Sequence, residues 1–242
     1  ESALRANRLD QAIEIYEERL LEDRTDLAAY RGLARSYALR GYQGQQGEED
    51  YRSSRETGLR CLLRDPGFRA QVDAAGGVVT GEGLLRVDED EWPCLYWAAW
   101  SWVRWVMERG AGVMAMDHDV LREMSLRVSV LAGDAEAGAH ALRGMTFALS
   151  SDGYSSASEE FERAMELDPG SLSIRVDYAR WVLWPSGQEA AARSQLSEVL
   201  ASEGVPNASP LVVAHNEKAA ALAVQLLADW EHSTREPDAS GF

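Results

Sequence analysis

The chain has 242 residues, 45% of them apolar and 26% charged, with a formal net charge of −16; this is long enough to bury a substantial core in one large domain or two small ones. The charge argues against nucleic-acid binding, which needs a basic stripe: here the cations are arginines mixed with carboxylates, and Lys218 is the only lysine. No apolar run approaches the roughly 18–20 residues that cross a bilayer, and residues 1–10 are polar and mixed, unlike a signal segment, although a leader or lipid-attachment cysteine upstream of Glu1 stays open.

Internal repeats organise the chain. Near the N-terminus Ala12, Tyr16 and Leu20 share one helical face and Asp23 closes the helix. The next helix places Tyr30, Leu33, Ala34 and Tyr37 at large, large, small and large positions. A Gly/Gln-rich insertion follows at residues 41–47. A further copy then carries Ser54 and Cys61 at its small positions and ends Cys61-Leu-Leu-Arg-Asp65-Pro66. Residues 69–91 read as a short helix followed by a loop, with a glycine-rich bend (Gly76, Gly77, Gly83) and an acidic run, Asp88-Glu-Asp-Glu91, that suits a solvated turn.

Pro93 suits the first turn of the next helix, and Gly133 ends a helix starting near Asp119, where Asp117-His118-Asp119 reads as its cap. Residues 157–169 have the grammar of the second helix of a tetratricopeptide repeat. Ala157 and Ala164 admit a close neighbour, Phe161 fills the gap between them, and Asp168-Pro169 stops the helix. Ser156 with Glu159, and Ser186 with Glu189, have capping-box spacing. Pro185 ends a helix from about Ser171, and the last helix runs from about Pro210 to His232, ahead of a loose tail at residues 233–242. Sustained two-residue alternation is absent. The expectation is all-α: a degenerate tetratricopeptide-type helical-hairpin solenoid forming one domain over residues 1–232.

Two cysteines, Cys61 and Cys94, are too few for a disulfide framework or a zinc cluster. Each sits in a helical, apolar context and reads as a buried thiol; a Cys61–Cys94 bridge is the alternative for an exported protein.

The segment from Trp92 to Met107 holds five of the eight tryptophans. At 100° per residue Trp97, Trp100 and Arg104 share one face and Ala98, Trp102 and Trp105 another. A helix apolar all round is expected to be enclosed by protein. It is a core helix, and one aromatic face is also suited to lining a pocket with Arg104 as its fixed charge.

Several blocks together resemble a known family, the T components associated with tripartite ATP-independent periplasmic (TRAP) transporters. They are Cys61-Leu-Leu-Arg-Asp-Pro-Gly-Phe68, Pro93-Cys-Leu-Tyr-Trp97-Ala-Ala-Trp100, Gly138-Ala-His140-Ala-Leu-Arg-Gly144, the repeat at 157–169, Tyr178-Ala179-Arg180 and Asn216-Glu-Lys-Ala-Ala220. In this order they span roughly residues 55–230. The chain departs from the family in carrying Asp152-Gly153-Tyr154 where a Gly-Gly-Asp is usual, and in having fewer C-terminal arginines. The resemblance implies an exported, often lipid-anchored periplasmic protein that forms a homotrimer, with a pore-like cavity in each protomer. It further implies docking to the transporter's substrate-binding P component and the handing on of a small apolar or carboxylate-bearing ligand.

No catalytic signature is present. The glycines at 76–83 precede no Gly-Lys-Ser/Thr, and there is no His-Glu-x-x-His or nucleophile elbow, so neither an enzyme, a metal site nor a cofactor is expected. The candidate ligand-binding residues are Tyr96, Trp97, Trp100, Arg104, His140, Tyr178, Arg180 and Asn216. Arg104 and Arg180 could each fork onto a carboxylate or serve a structural ion pair. His140, among small residues, is a ligand group or a hydrogen-bonded core histidine. Core packing or helix-to-helix hydrogen bonding accounts for Tyr96, Trp97, Tyr178 and Asn216 as readily as ligand contact does. The competing function is a general tetratricopeptide scaffold that grips a peptide in an open concave groove.

Overall fold

The structure, a computed structural model, describes residues 1–44, 47–206 and 208–233, without the side chains of 111–115 and 233. Among these residues there is no strand. Aspartates set several helix starts: Asp26 accepts from the Ala29 amide at 2.9 Å to open α3 (Leu27–Gln43), and Asp65 accepts from Phe68 at 2.6 Å to open α5 (Pro66–Ala74). Pro66 and Pro93 occupy first turns, where the missing amide proton costs nothing.

The chain begins with α1 (Ser2–Arg5) and the hairpin of α2 (Leu9–Glu22) with α3. Next come α4 (Gly47–Leu62), the short α5 and α6 (Gly81–Leu84), then α7 (Trp92–Arg109), α8 (Ala111–Ala132) and α9 (Ala137–Phe147). After a 3₁₀ turn at Ser151–Gly153 follow α10 (Tyr154–Leu167), α11 (Leu172–Tyr178) continuing as a π-helical turn over Ala179–Leu183, α12 (Glu189–Ala201) and α13 (Pro210–Ser233). Neighbours in this order pack as helical hairpins, with α7 against α3, α4, α8 and α9. The last helix, α13, packs on α11 and α12 and also reaches α3 and α1, so the C-terminal end of the row meets its beginning. Its residues join both core clusters: Leu211 enters the N-terminal one, and Ala219, Ala223, Leu226 and Trp230 enter the main one.

Helix pairs approach closely where a small residue faces a ring. A Cβ on Gly32 would fall 2.2 Å from Tyr16 Cζ, and one on Gly144 would fall 2.7 Å from Phe161 Cδ2. The face of α10 is Ala157, Phe161 and Ala164, all fully buried. Ser54, at the equivalent small position of α4, donates to the Ala34 carbonyl at 2.9 Å and accepts from Ser101 Oγ at 2.7 Å, so a buried polar chain ties α3, α4 and α7.

Cys61 and Cys94 are buried but are not free thiols: a disulfide joins α4 to the start of α7, with Cα atoms 6.2 Å apart. Five local expectations also change. The helix α8 begins at Ala111, not near Asp119, so Asp117, His118 and Asp119 are interior helical residues; Asp117 accepts from Trp102 Nε1 at 2.7 Å. Ser156 caps nothing, because the 3₁₀ turn feeds α10 from Tyr154. Ser186 instead donates to the Leu183 carbonyl, and Gln188 is the N-cap of α12. The 69–91 segment contains the additional short helix α6, capped by Thr80. The insertion at 41–47 is largely the end of α3, closed by Gly44 in the left-handed region (φ 95°), and the start of α4; Gln45 and Gln46 lie outside the described residues. Ser233 ends α13, and the rest of the expected tail likewise lies outside them.

Two substitutions test this packing. Gly32→Ala is expected to lower unfolding stability in urea by about 1–3 kcal/mol through overpacking against Tyr16, and adding Tyr16→Phe, which keeps the ring, does not restore it. Replacing both cysteines by alanine is expected to lower stability by about 2–4 kcal/mol through the freed loop; denaturation with and without reductant measures it, and the alanine pair should be insensitive to reductant.

Candidate functional site: an aromatic-walled cavity inside the helical row

A cavity of about 590 Å³ lies where the row folds back on itself. Its walls come from α3 (Arg35, Leu39), α7 (Trp92, Tyr96, Trp97, Trp100, Arg104), the start of α9, the α10–α11 turn, α11 (Ser173, Ile174, Asp177) and α13 (Leu211, His215, Asn216). The α7 contribution follows from helical spacing: Trp97, Trp100 and Arg104 recur on one face, and the 3.6-residue period turns that face inward. Their rings pack edge to face, with Tyr96 and Trp97 centroids 4.8 Å apart and Trp97 and Trp100 5.7 Å apart. The opposite face of α7 is core or is covered: Ala98 meets Gly58, while Arg55 lies over Trp102 and Arg109 over Trp105.

Arg104 is buried on the cavity wall, its guanidinium 4.2 Å above the Trp100 ring and 4.8 Å from that of Tyr42. It donates through Nη2 to Asp177 Oδ2, making a buried ion pair between α7 and α11. Burial pushes the Asp177 carboxyl above the usual carboxylate range, against the pull of Arg104. The fork expected to meet a ligand carboxylate therefore already holds one from the protein.

His215 projects from α13, stacks on Tyr42 at 4.3 Å and places Nε2 3.0 Å from Ser173 Oγ. Burial, and secondarily the Arg104 charge, push its pKa down to about 4, so the ring is neutral at pH 7. Its Nδ1 and Arg104 Nε are sealed from solvent without hydrogen-bond partners. Both are unpaired polar groups just behind the cavity surface.

Five of the eight sequence candidates line the cavity: Tyr96, Trp97, Trp100, Arg104 and Asn216. Asn216 is engaged structurally as well. Its Oδ1 accepts from the Leu172 amide at 3.2 Å and its Nδ2 donates to the Gly170 carbonyl at 3.0 Å, which clamps the α10–α11 turn to α13. The other three lie elsewhere. His140 bonds Glu160 at 2.7 Å, and Tyr178 stacks on Phe161 and donates to Glu162 at 3.2 Å. Arg180 sits in the π-helical turn, does not line the cavity, and lies 4.1 Å over Trp181. Asp177, His215 and Ser173 were not among the candidates. A carboxylate among Ile174, Val176 and Tyr178 was a readable signal for Asp177; nothing local marks His215, whose neighbours come from α3 and α11.

Among known proteins, no family model and no curated sequence matches this chain. What the site can do rests on its own geometry: an apolar, indole-rich chamber with a neutralised charge pair and a neutral imidazole, suited to holding a small molecule.

Removing one partner of the Arg104–Asp177 pair is expected to be costly. Arg104→Ala should lower stability by about 3–5 kcal/mol by stranding a buried carboxylate, whereas Arg104→Met with Asp177→Leu should cost clearly less; urea melts of the three proteins compare them. His215 contributes in the same pH sense as a carboxylate held below its usual pKa, and in the opposite sense to the raised Asp177. With its folded pKa below its unfolded one, the stability it confers is present above about pH 6.5 and is lost as pH falls towards 4, on the order of 2–3 kcal/mol in all. Unfolding at pH 7 and pH 4.5 should show His215→Gln losing less stability on acidification than the native protein.

Proposed function

We propose that this protein is a non-enzymatic periplasmic accessory of a TRAP-type transporter, a T component that holds or channels a small ligand and docks the substrate-binding P component. The observation that carries the reading is the cavity, whose indole wall is built by the same Pro93-Cys-Leu-Tyr96-Trp97-Ala-Ala-Trp100 stretch that resembles that family. The helical hairpins are, on this reading, degenerate tetratricopeptide repeats, and the protein is a homotrimer held at the membrane through a lipid on a preceding segment. Among the described residues no helix is long and apolar enough to cross a membrane, which suits attachment by a lipid. The Cys61–Cys94 disulfide supports export, because such bridges persist in oxidising compartments.

A general peptide-gripping scaffold needs an open concave groove. Here α13 crosses to α3 and α1, and its Leu211 and His215 line the cavity, so the groove is bridged. That favours a small guest.

The neutral dye N-phenyl-1-naphthylamine tests the cavity. Saturable binding with one dye per chain is expected, weakened about tenfold by Trp97→Ala, as the loss of ~1.4 kcal/mol of aromatic contact would give. Native mass spectrometry should show three chains. A protein that binds no dye and has a monomeric mass would rule the proposal out.

A further inference from the structure

We infer, building on the ligand-cavity reading above, that the guest is an uncharged molecule with a flat apolar body and a polar end that donates and accepts side by side, as a primary carboxamide does. The body follows from the walls: Tyr96, Trp97 and Trp100 present tilted rings at 4.8–5.7 Å centroid spacing, with Leu39, Ile174 and Leu211 completing the apolar lining, and a flat apolar body can pack against such rings.

The polar end follows from the Arg104–Asp177 pair. Only Nη2 and Oδ2 are used between them. Among the described residues, Arg104 Nη1 and Asp177 Oδ1 have no hydrogen-bond partner either, yet unlike Arg104 Nε they are not sealed from solvent. Both residues line the cavity. The pair on the wall therefore keeps an uncommitted donor on Arg104 and an uncommitted acceptor on Asp177, and a group with the converse pattern can satisfy both. Leaving either unmet beneath a bound apolar body would cost a buried hydrogen bond, which is how a site built around polar groups rejects a guest that lacks them.

Charge selects against ionised heads. An anion would find Arg104 already compensated and Asp177 beside it; a cation would find Asp177 already compensated and Arg104 beside it. The neutral His215 ring supplies no cation to tip the balance, and Arg35, the other cation on the wall, is more than a third exposed and already pairs with Glu1 at 3.6 Å. Glu136 and Asp168 are at the exposed rim, where water and salt screen them.

Three probes sharing one indole body separate the heads at pH 7: indole-3-acetamide, indole-3-acetate and tryptamine, each followed by displacement of N-phenyl-1-naphthylamine and by calorimetry on the full chain. The expected result is that the amide binds at least about tenfold more tightly than the acid or the amine. Asp177→Asn, which keeps the shape and removes the negative charge, should shift the ranking about tenfold towards the acetate. If that variant loses its helical circular dichroism, the ranking on the native chain decides alone. Acetate or tryptamine binding as tightly as the amide overturns the inference while leaving a ligand cavity. So does dye that binds but is displaced by none of the three. Dye that does not bind at all overturns the inference together with the ligand cavity it rests on.

Discussion

The buried pair between Arg104 and Asp177 joins two parts of the chain that are 73 residues apart, and the interior is arranged around it. Arg104 stands on the tryptophan helix α7 and Asp177 at the end of α11, just before the helix widens. Ionised groups withdrawn from water are tolerated only when paired, so each of these side chains fixes the position of the other's helix. Tyr42 and Trp100 lie against the guanidinium, and His215 stacks on Tyr42. Helices α3, α7, α11 and α13 thus meet around one polar point, and the cavity is the space beside it.

The same arrangement accounts for the indole-rich helix. A segment with five tryptophans would be an aggregation hazard on a surface. It is covered on four sides by other helices, pinned at its start by the disulfide to α4 and shielded on its outer face by Arg55 and Arg109. Arginines can stack on indole faces while keeping their charge in water, as Arg55 and Arg109 do here. The inner face alone is left with room beside it.

Closure by α13 distinguishes this molecule from an open helical row. Asn216 bonds the backbone of the α10–α11 turn through both ends of its amide, Leu211 fills the N-terminal core and Trp230 stacks on Trp184 at 3.8 Å. Without this helix the indole face of α7 would border a groove open to solvent. With it the groove becomes a chamber, and the chemistry of the guest is set by the few polar atoms that remain uncommitted.

Much of this was legible in residue spacing. Ala157, Phe161 and Ala164 specify a helix face that needs a glycine or alanine opposite, and Gly144 provides it; Ala12 and Tyr16 do the same with Gly32. The 100° rotation per residue put Trp97, Trp100 and Arg104 together before any fold was known. Helix starts are less legible, because a 3₁₀ turn before α10 and the early start of α8 depend on how neighbouring helices meet. His140 looked chemically loaded among its small neighbours, but Glu160, 20 residues away, holds it. Periodicity thus determined the helices, their buried faces and the pairing of small with aromatic residues, since these are local properties of a repeating backbone. Only the tertiary structure decided that Asp177 meets Arg104, that the cysteines are joined, and that α13 returns to roof the cavity. Those contacts link residues tens of positions apart, and their energies depend on which helix ends up beside which.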